Sequence, residues 1–260
     1  MDLQNRYLRY LALLIILLVF SVNELWVYLK VNSWSEPLTV QIIVINEDES
    51  ETTDRYISSL EQGDFEKISA FLSREAIKYG VRGKPFTIIQ LEKGFSSRPP
   101  SLPDEVDFFG NIYWSSMFRM WSAWALYQGN IHHADITLFV KFFDPLKHPI
   151  LEHSIGLQKG MVGIINVFAS IEYTGSNSVI LAHELLHTVG ANDKYHQENN
   201  FPIYPFGFAD PRKMPLYPQA KAEIMGGRVP VSQFESEIPD SLDAVVVGEL
   251  TALEIGWKSN

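Results

Sequence analysis

The chain has 260 residues, a formal net charge of −10 and 46% hydrophobic residues, which is enough for one domain with a substantial core. The negative charge argues against nucleic acid as a partner, because binding to phosphates requires clustered lysine and arginine. The chain has no cysteine, so a disulfide framework and a thiolate metal site are both excluded.

The first thirty residues differ in composition from the remainder. Arg6 and Arg9 precede residues 11–29, a largely apolar stretch close to the roughly twenty residues that a helix needs to cross a bilayer. We therefore predict an N-terminal transmembrane anchor in residues 1–30, which tethers residues 31–260 to the lipid bilayer. Because basic residues stay in the cytoplasm, the protein is expected to be single-pass with an extracytoplasmic domain. The alternative is a cleavable signal peptide and a secreted protein.

The first part of the exported chain carries no motif but a readable series of elements. Alternating apolar residues predict two strands, at residues 38–45 and 85–92. Helical spacing predicts two helices, near residues 53–60 and 65–79. A further helix, rich in aromatic residues, is predicted at residues 112–128. Its aromatic side chains are expected to pack against a sheet, and a substrate or membrane contact is the alternative.

The second part begins with three predicted strands, at residues 134–144, 153–158 and 160–170. The short linker between the last two predicts a hairpin. A helix is expected to follow the capping residues 175–178 and to end at Gly190. After a proline-rich and glycine-rich segment, a last helix is predicted at residues 240–257. Mixed strands and helices indicate an α+β domain.

The stretch HELLHTVGAND, residues 183–193, carries the strongest chemical signal. On a helix, His183 and His187 lie one turn apart on one face, where two neutral imidazoles can bind one Zn²⁺. Glu184 is rotated by about 100° from His183 and can act as general base on a metal-bound water. Gly190 lacks a Cβ and can turn the chain back toward the metal, where Asp193 suits the third ligand position. The spacing therefore predicts a catalytic zinc site with an open fourth position.

The same residues resemble the extended zinc signature of the metzincin metallopeptidases, His-Glu-x-x-His-x-x-Gly-x-x-His or Asp, in its aspartate form. The resemblance implies a methionine turn beneath the metal, and AEIMGG at residues 222–227 matches it through Met225. It also implies the metzincin fold. That fold is a mixed, mostly parallel sheet with an antiparallel edge strand above the cleft, here residues 153–158, an active-site helix and a C-terminal helix.

The chain departs from the family at two positions. Asp193 stands where most members have a third histidine. Gly227 follows Met225 by two residues, where several metzincins have a tyrosine that is thought to steady the transition state. Tyr195 is a candidate for that role, and an ordinary packing tyrosine is the alternative. His196 is close enough in sequence to contact a metal ligand.

A different third ligand also fits the short motif. In the other large group of proteins with this motif, the ligand is a glutamate on a later helix, and Glu249 could serve. The leading hypothesis is a membrane-tethered zinc endopeptidase that acts on protein or peptide substrates, with Glu184 as general base. The alternatives are a membrane-anchored binding protein with a structural zinc ion, and a zinc amidase that acts on a non-protein substrate.

Overall fold

The computed structural model describes residues 33–95, 97–101, 108–128, 134–152, 154–158 and 161–258, together with isolated positions between residues 7 and 30. Those isolated positions are helical. Across the described residues, no helix is both long enough and apolar enough to cross a membrane. Most of the anchor predicted in residues 1–30 lies outside the described residues, and the anchor stays a prediction.

From residue 38 onward, the described residues form five α-helices and one main sheet. The helices are α1 (Glu51–Ser59), α2 (Gln62–Lys78), α3 (Phe108–Gln128), α4 (Thr174–Thr188) and α5 (Glu249–Glu254). The main sheet contains β1 (Leu38–Asn46), β2 (Phe86–Glu92), β3 (Ile136–Phe143), β4 (Ile155–Leu157) and β5 (Val162–Phe168). Four short strands form two further two-stranded sheets. These strands are β6 (Ala222–Glu223), β7 (Val229–Pro230), β8 (Ser236–Glu237) and β9 (Val245–Val246).

The main sheet has the strand order β2-β1-β3-β5-β4 and is parallel except at one edge. β1 pairs in parallel with β2 and β3, and β3 pairs in parallel with β5. β4 pairs antiparallel with β5, so the predicted mixed sheet, antiparallel edge strand and hairpin are confirmed. His153 and Gly160, which were predicted to begin strands, lie outside the described residues.

Helices cover both faces of the sheet, and the alternation along β1 sets which side chain meets which layer. Ile42 and Val44 belong to the core on the side of α1, α2 and α4. Ile43 and Ile45 belong to the core on the other side, where Phe118 of α3 packs. The aromatic residues of α3 that point inward therefore have the predicted packing role.

The start of α4 differs from the prediction. The helix begins at Thr174, ahead of the expected capping residues, because a 3-10 turn at Ile171–Tyr173 leads directly into it. Gly175 lies inside the helix, and a Cβ there would lie 1.8 Å from the carbonyl oxygen of Asp240. Close packing of the chain near residue 240, rather than capping, accounts for this glycine.

The C-terminal helix predicted at residues 240–257 exists but is much shorter. Val245–Val246 forms strand β9, which pairs with β6, because a run of β-branched valines favours a strand. Gly248 is the N-cap of α5, which spans only Glu249–Glu254. The prediction was wrong in extent and right in placing a helix after the methionine turn.

Candidate metal centre

Helix α4 places His183 and His187 one turn apart on the same face, as predicted. The Nε2 atoms of the two rings are 3.0 Å apart, and Oδ1 of Asp193 lies 3.1 Å from each of them. One donor atom from each of His183, Glu184 and His187 also falls within 4.8 Å of the others, so this group could hold a metal ion. Of the two carboxylates, Asp193 is the one that contacts both rings at hydrogen-bonding distance.

The second nitrogen of each ring is bound to the backbone. His183 Nδ1 lies 2.8 Å from the carbonyl oxygen of Ile224, and His187 Nδ1 lies 2.8 Å from that of Ala191. A carbonyl oxygen only accepts, so in each neutral ring Nδ1 carries the hydrogen and Nε2 carries a lone pair. Metal-binding histidines are commonly oriented by such a contact.

Three electron-rich atoms therefore meet at one point, and they repel one another unless positive charge lies between them. Burial alone would lower the pKa of His183, but the hydrogen bond to Asp193 and the charge of Glu184 raise it to about 9. Burial would also raise the pKa of Asp193, but its contacts with His183 and His187 lower it. The site favours a cation, and imidazole with carboxylate is a donor set that suits Zn²⁺.

A tight turn at the end of α4 brings Asp193 back to the histidines. The N–H groups of Gly190 and Ala191 donate to the carbonyls of His187 and Leu186, both at 3.1 Å, which is a Schellman motif. Gly190 has φ +108°, a conformation that other residues rarely adopt, and a Cβ there would lie 2.7 Å from Nε2 of Gln158. The predicted role of Gly190 as the turning point is confirmed in its geometry.

A buried ion pair holds the segment that carries Asp193. Lys194 Nζ lies 2.7 Å from Oε2 of Glu254 in α5 and donates to the carbonyl of Asn192 at 2.9 Å. The N–H of Asn192 donates to the same Glu254 oxygen at 3.0 Å. The N–H of Lys194 donates to the carbonyl of Met225 at 2.8 Å. Asp193 is thus fixed between α5 and the turn that contains Met225.

The turn at Ile224–Gly226 lies against α4, and Met225 in it is fully buried. Its neighbour Glu223 is also fully buried and accepts hydrogen bonds from the N–H groups of Gly226 and Gly248 and from the hydroxyl of Thr251. Burial raises the pKa of Glu223 in spite of these bonds. The carboxyl of Glu223 therefore ties this turn to the start of α5.

Glu184 is buried beside the two histidines, and its Oε2 has no hydrogen-bond partner among the described residues. Burial raises its pKa, while the charges of the histidines and a hydrogen bond from the backbone of Gly156 act in the opposite direction. A carboxylate with one free oxygen in an apolar setting can accept a proton.

A cleft of about 320 Å³ opens over this group and includes His183, Glu184 and Tyr195 in its lining. Its remaining walls are largely apolar, with side chains from β5, α4 and the C-terminal segment: Val167, Phe168, Val179, Ile180, Ile224 and Ile238. Arg228 is the one arginine or lysine among the described residues of the lining. The cleft can therefore receive an apolar side chain next to the metal-binding group.

Edge strand β4 packs directly on α4 through a glycine. A Cβ on Gly156 would lie 2.4 Å from the carbonyl oxygen of Glu184 and 2.6 Å from Cβ of His187. Only glycine allows this approach, since real Cβ atoms do not come within 3.0 Å of such neighbours. This contact holds β4 beside the cleft. The side of β4 that faces away from β5 forms the edge of the main sheet.

Tyr195 lies at the cleft, whereas two other predicted candidates lie elsewhere. The ring of Tyr195 is centred 6.3 Å from that of His183, and burial together with the charges of Asp193 and Glu184 raises its pKa. His196 is exposed and is not part of the cleft lining. Glu249 is exposed as well and pairs with Lys258, so it does not reach the metal-binding group.

Several residues that shape the site had no recognisable signal in the sequence. Gly156, Glu223 and Glu254 act through partners 25 to 62 residues away along the chain, and single positions of this kind form no local pattern. No protein-family model matches the chain, and no curated protein sequence matches it. The function of the site is therefore inferred from its residues and their geometry.

Proposed function

We propose that the protein is a membrane-tethered zinc endopeptidase of the metzincin type. The observation that carries the proposal is the meeting of Nε2 of His183, Nε2 of His187 and Oδ1 of Asp193 within 3.1 Å of one another. Tetrahedral zinc with ligand distances of 2.0–2.2 Å needs donor atoms about 3.3 Å apart, so a slight outward movement of the side chains accommodates the ion. These three residues would be its ligands.

The chemistry divides between the ion and Glu184. When bound, zinc would lower the pKa of a coordinated water toward about 7 and polarise the carbonyl to be cleaved. Glu184 accepts the proton of the attacking water at Oε2 and delivers it to the nitrogen of the leaving amine. The lack of a partner for this oxygen supports the role, because no donor within the described part of the chain competes for it.

A catalytic zinc site is favoured over a structural one. A structural site is usually closed by four protein ligands, and His196 is the remaining histidine nearest in sequence to the proposed three. The exposure of His196 and the open cleft beside Glu184 leave a coordination position for water and substrate. A structural zinc ion would also give no task to the buried Oε2 of Glu184, which has no hydrogen-bond partner among the described residues.

The exposed edge of the main sheet favours a peptide as the substrate. Strand β4 is paired with β5 on one side only, and its outer edge presents backbone groups to an extended chain. Substrate bound in this way would place one side chain in the apolar cleft. Backbone pairing supplies affinity, and the cleft supplies preference.

Tyr195 would donate a hydrogen bond to the oxygen on which negative charge develops. A Cβ on Gly227 would lie 3.8 Å from Cδ1 of Tyr195, so this ring lies close to the position from which a residue-227 side chain would project. The raised pKa keeps its hydroxyl protonated at neutral pH, as a donor must be. Tyr195 would thus replace the tyrosine that several metzincins have two residues after the methionine.

The proposal is tested with the full chain in detergent or vesicles, loaded with zinc and incubated with a mixed peptide library. Glu184→Gln is expected to keep stoichiometric zinc and to lose about 10²–10⁴-fold in kcat, the range for a general base. Glu172→Gln removes an exposed carboxylate just ahead of the same helix and serves as the matched control. Equal activity of Glu184→Gln and the parent would refute the role of Glu184. Zinc binding with no cleavage by any form would favour a structural site or a non-peptide amide substrate.

The ligand set has its own test. Asp193→Ala is expected to weaken zinc binding strongly, because it removes one of three donors, whereas Glu249→Gln should leave zinc affinity unchanged. Competition with a fluorescent zinc chelator measures both dissociation constants. The opposite pattern would transfer the third ligand position to Glu249.

A further inference from the structure

Helix α3 is apolar on two sides. Its inner side packs on the sheet through residues such as Trp114 and Phe118. Its outer side carries four large side chains that are 54–82% exposed: Tyr113, Met120, Trp124 and Tyr127. Spacings of 7, 11 and 14 residues from the first place these side chains within about 60° of one another, in a stripe about 20 Å long. We call these four residues the outer stripe.

The outer stripe is unusual for a surface in contact with water. Arg119 is the single charged residue in the sequence of α3, and its guanidinium bonds back to the carbonyl and hydroxyl of Ser115. The chain has a net charge of −10 and 20% charged residues, so an uncharged aromatic stripe of this length stands out from its surface. Such a patch indicates a partner or a membrane.

The partner of the outer stripe is inferred from the position of the stripe relative to the N-terminal segment. Lys30 forms an ion pair with Asp135, just before β3, and Trp34 packs on Trp257 and Phe86. The apolar N-terminal segment therefore joins the domain at the amino-terminal ends of the parallel strands.

Helix α3 runs from the far ends of the strands back toward this junction. Near its start, Trp114 donates to the carbonyl of Ser101, and Ser101 lines a pocket with Glu47 and Phe143, which mark the carboxyl ends of β1 and β3. One turn after Phe118, Trp121 lies over Phe139 in the middle of β3. The last turn, with Trp124 and Tyr127, therefore points toward the end of the sheet where residue 30 leaves the domain.

We propose that the outer stripe lies in the headgroup region of the bilayer that the predicted anchor in residues 1–30 would enter, an inference that rests on the membrane tether of the proposed function. Tryptophan and tyrosine are enriched at this depth, because their rings are apolar at one end and polar at the other. The acidic chain would be repelled by anionic lipid, so a zwitterionic phospholipid surface is the partner that fits. Since α4 packs on the opposite face of the sheet, the metal-binding cleft would then face away from the bilayer.

The absence of cysteine makes the test direct. Met120→Cys and Tyr127→Cys, each in the full chain, are labelled with a nitroxide and reconstituted in phosphatidylcholine vesicles. Ile77→Cys is the matched control, because it is a comparably exposed apolar residue on α2, in the opposite layer. The measurement is the ratio of collision rates with oxygen, which enters lipid, and with a water-soluble nickel chelate.

Labels at positions 120 and 127 are expected to give an oxygen-to-nickel ratio several-fold above that at position 77. Equal ratios at all three positions would place the outer stripe in water and overturn the proposal. Spin–spin broadening at position 120 that disappears on dilution with unlabelled chain would show that a second copy covers the stripe, and would overturn it as well. Failure of the chain to sediment with the vesicles has the same consequence. None of these readouts uses peptide cleavage, so they stand apart from the peptidase assay.

Discussion

Replacing Gly156 by alanine should disturb the site more than any other single methyl group added to the main sheet. The new Cβ would lie 2.4 Å from the carbonyl oxygen of Glu184 and 2.6 Å from Cβ of His187, both rigid parts of α4. Reaching the 3.0 Å limit requires a shift of 0.6 Å (3.0 − 2.4), and reaching ordinary contact at 3.4 Å requires 1.0 Å (3.4 − 2.4). Strand β4 and helix α4 must therefore move apart.

This movement should lower both the stability of the protein and its catalytic rate. Overpacking of this kind costs about 1–3 kcal/mol, and about 2–4 °C of Tm is lost for each kcal/mol in a domain of this size. The shift also moves the N–H of Gly156 away from the Glu184 carboxylate. A displacement near 1 Å at a reacting group can reduce the rate about 10²-fold. We expect Gly156→Ala to lower both Tm and kcat/KM and to leave zinc content intact.

Gly163→Ala provides the matched control, because Gly163 pairs directly with Gly156 across the hairpin. Its added Cβ would meet the flexible end of Leu138 at 3.2 Å and the carbonyl of Ile155 at 3.3 Å, which small adjustments relieve. Calorimetry and peptide cleavage on the two variants separate the close approach from a general effect of alanine in the hairpin. Parent-like Tm and kcat/KM in Gly156→Ala would refute the contact between β4 and α4.

Three further outcomes follow from the same contacts. Lys194→Met leaves the partly buried Glu254 carboxylate without its cation but with the N–H of Asn192, so we expect a loss of about 1–3 kcal/mol in chemical denaturation and about 10–100-fold weaker zinc binding. Asp135→Asn should make the free energy of unfolding depend less on pH in the acid range. Although burial opposes ionisation of Asp135, hydrogen bonds from Lys30 and Thr39 lower its pKa. Its stabilising effect is therefore present above the unfolded-state pKa and is lost as the pH falls through the folded-state pKa, which urea titrations at a series of pH values would detect. Arg228→Glu reverses the charge of the one arginine among the described residues of the cleft lining, so cleavage of library peptides with a basic residue near the cut bond should rise relative to peptides with an acidic one, and an unchanged profile would remove Arg228 from substrate contact.

The candidate ligands His183 and His187 and the candidate base Glu184 could be predicted from the sequence because they act through one local geometry, the helical turn. The role of Gly190 was equally predictable, because the left-handed backbone conformation that ends a helix depends only on residues nearby in the sequence. The strands were predictable for a similar reason: β1, β3 and β5 are short runs rich in β-branched and aromatic residues, and this composition is a local property of the sequence. The extent of the last helix was not predictable in this way, because the pairing of Val245–Val246 with β6 depends on residues more than twenty positions away.

The third donor shows where local information ends. His183 and His187 are oriented by the helix itself, but Asp193 lies in a segment without regular secondary structure. Its position depends on Glu254, which binds both neighbours of Asp193, and on the Met225 carbonyl, which binds the Lys194 N–H. The histidine pair is therefore a property of one helix, whereas the complete donor set exists only when the C-terminal segment has folded against it. Zinc affinity should for this reason report on the folding of that segment.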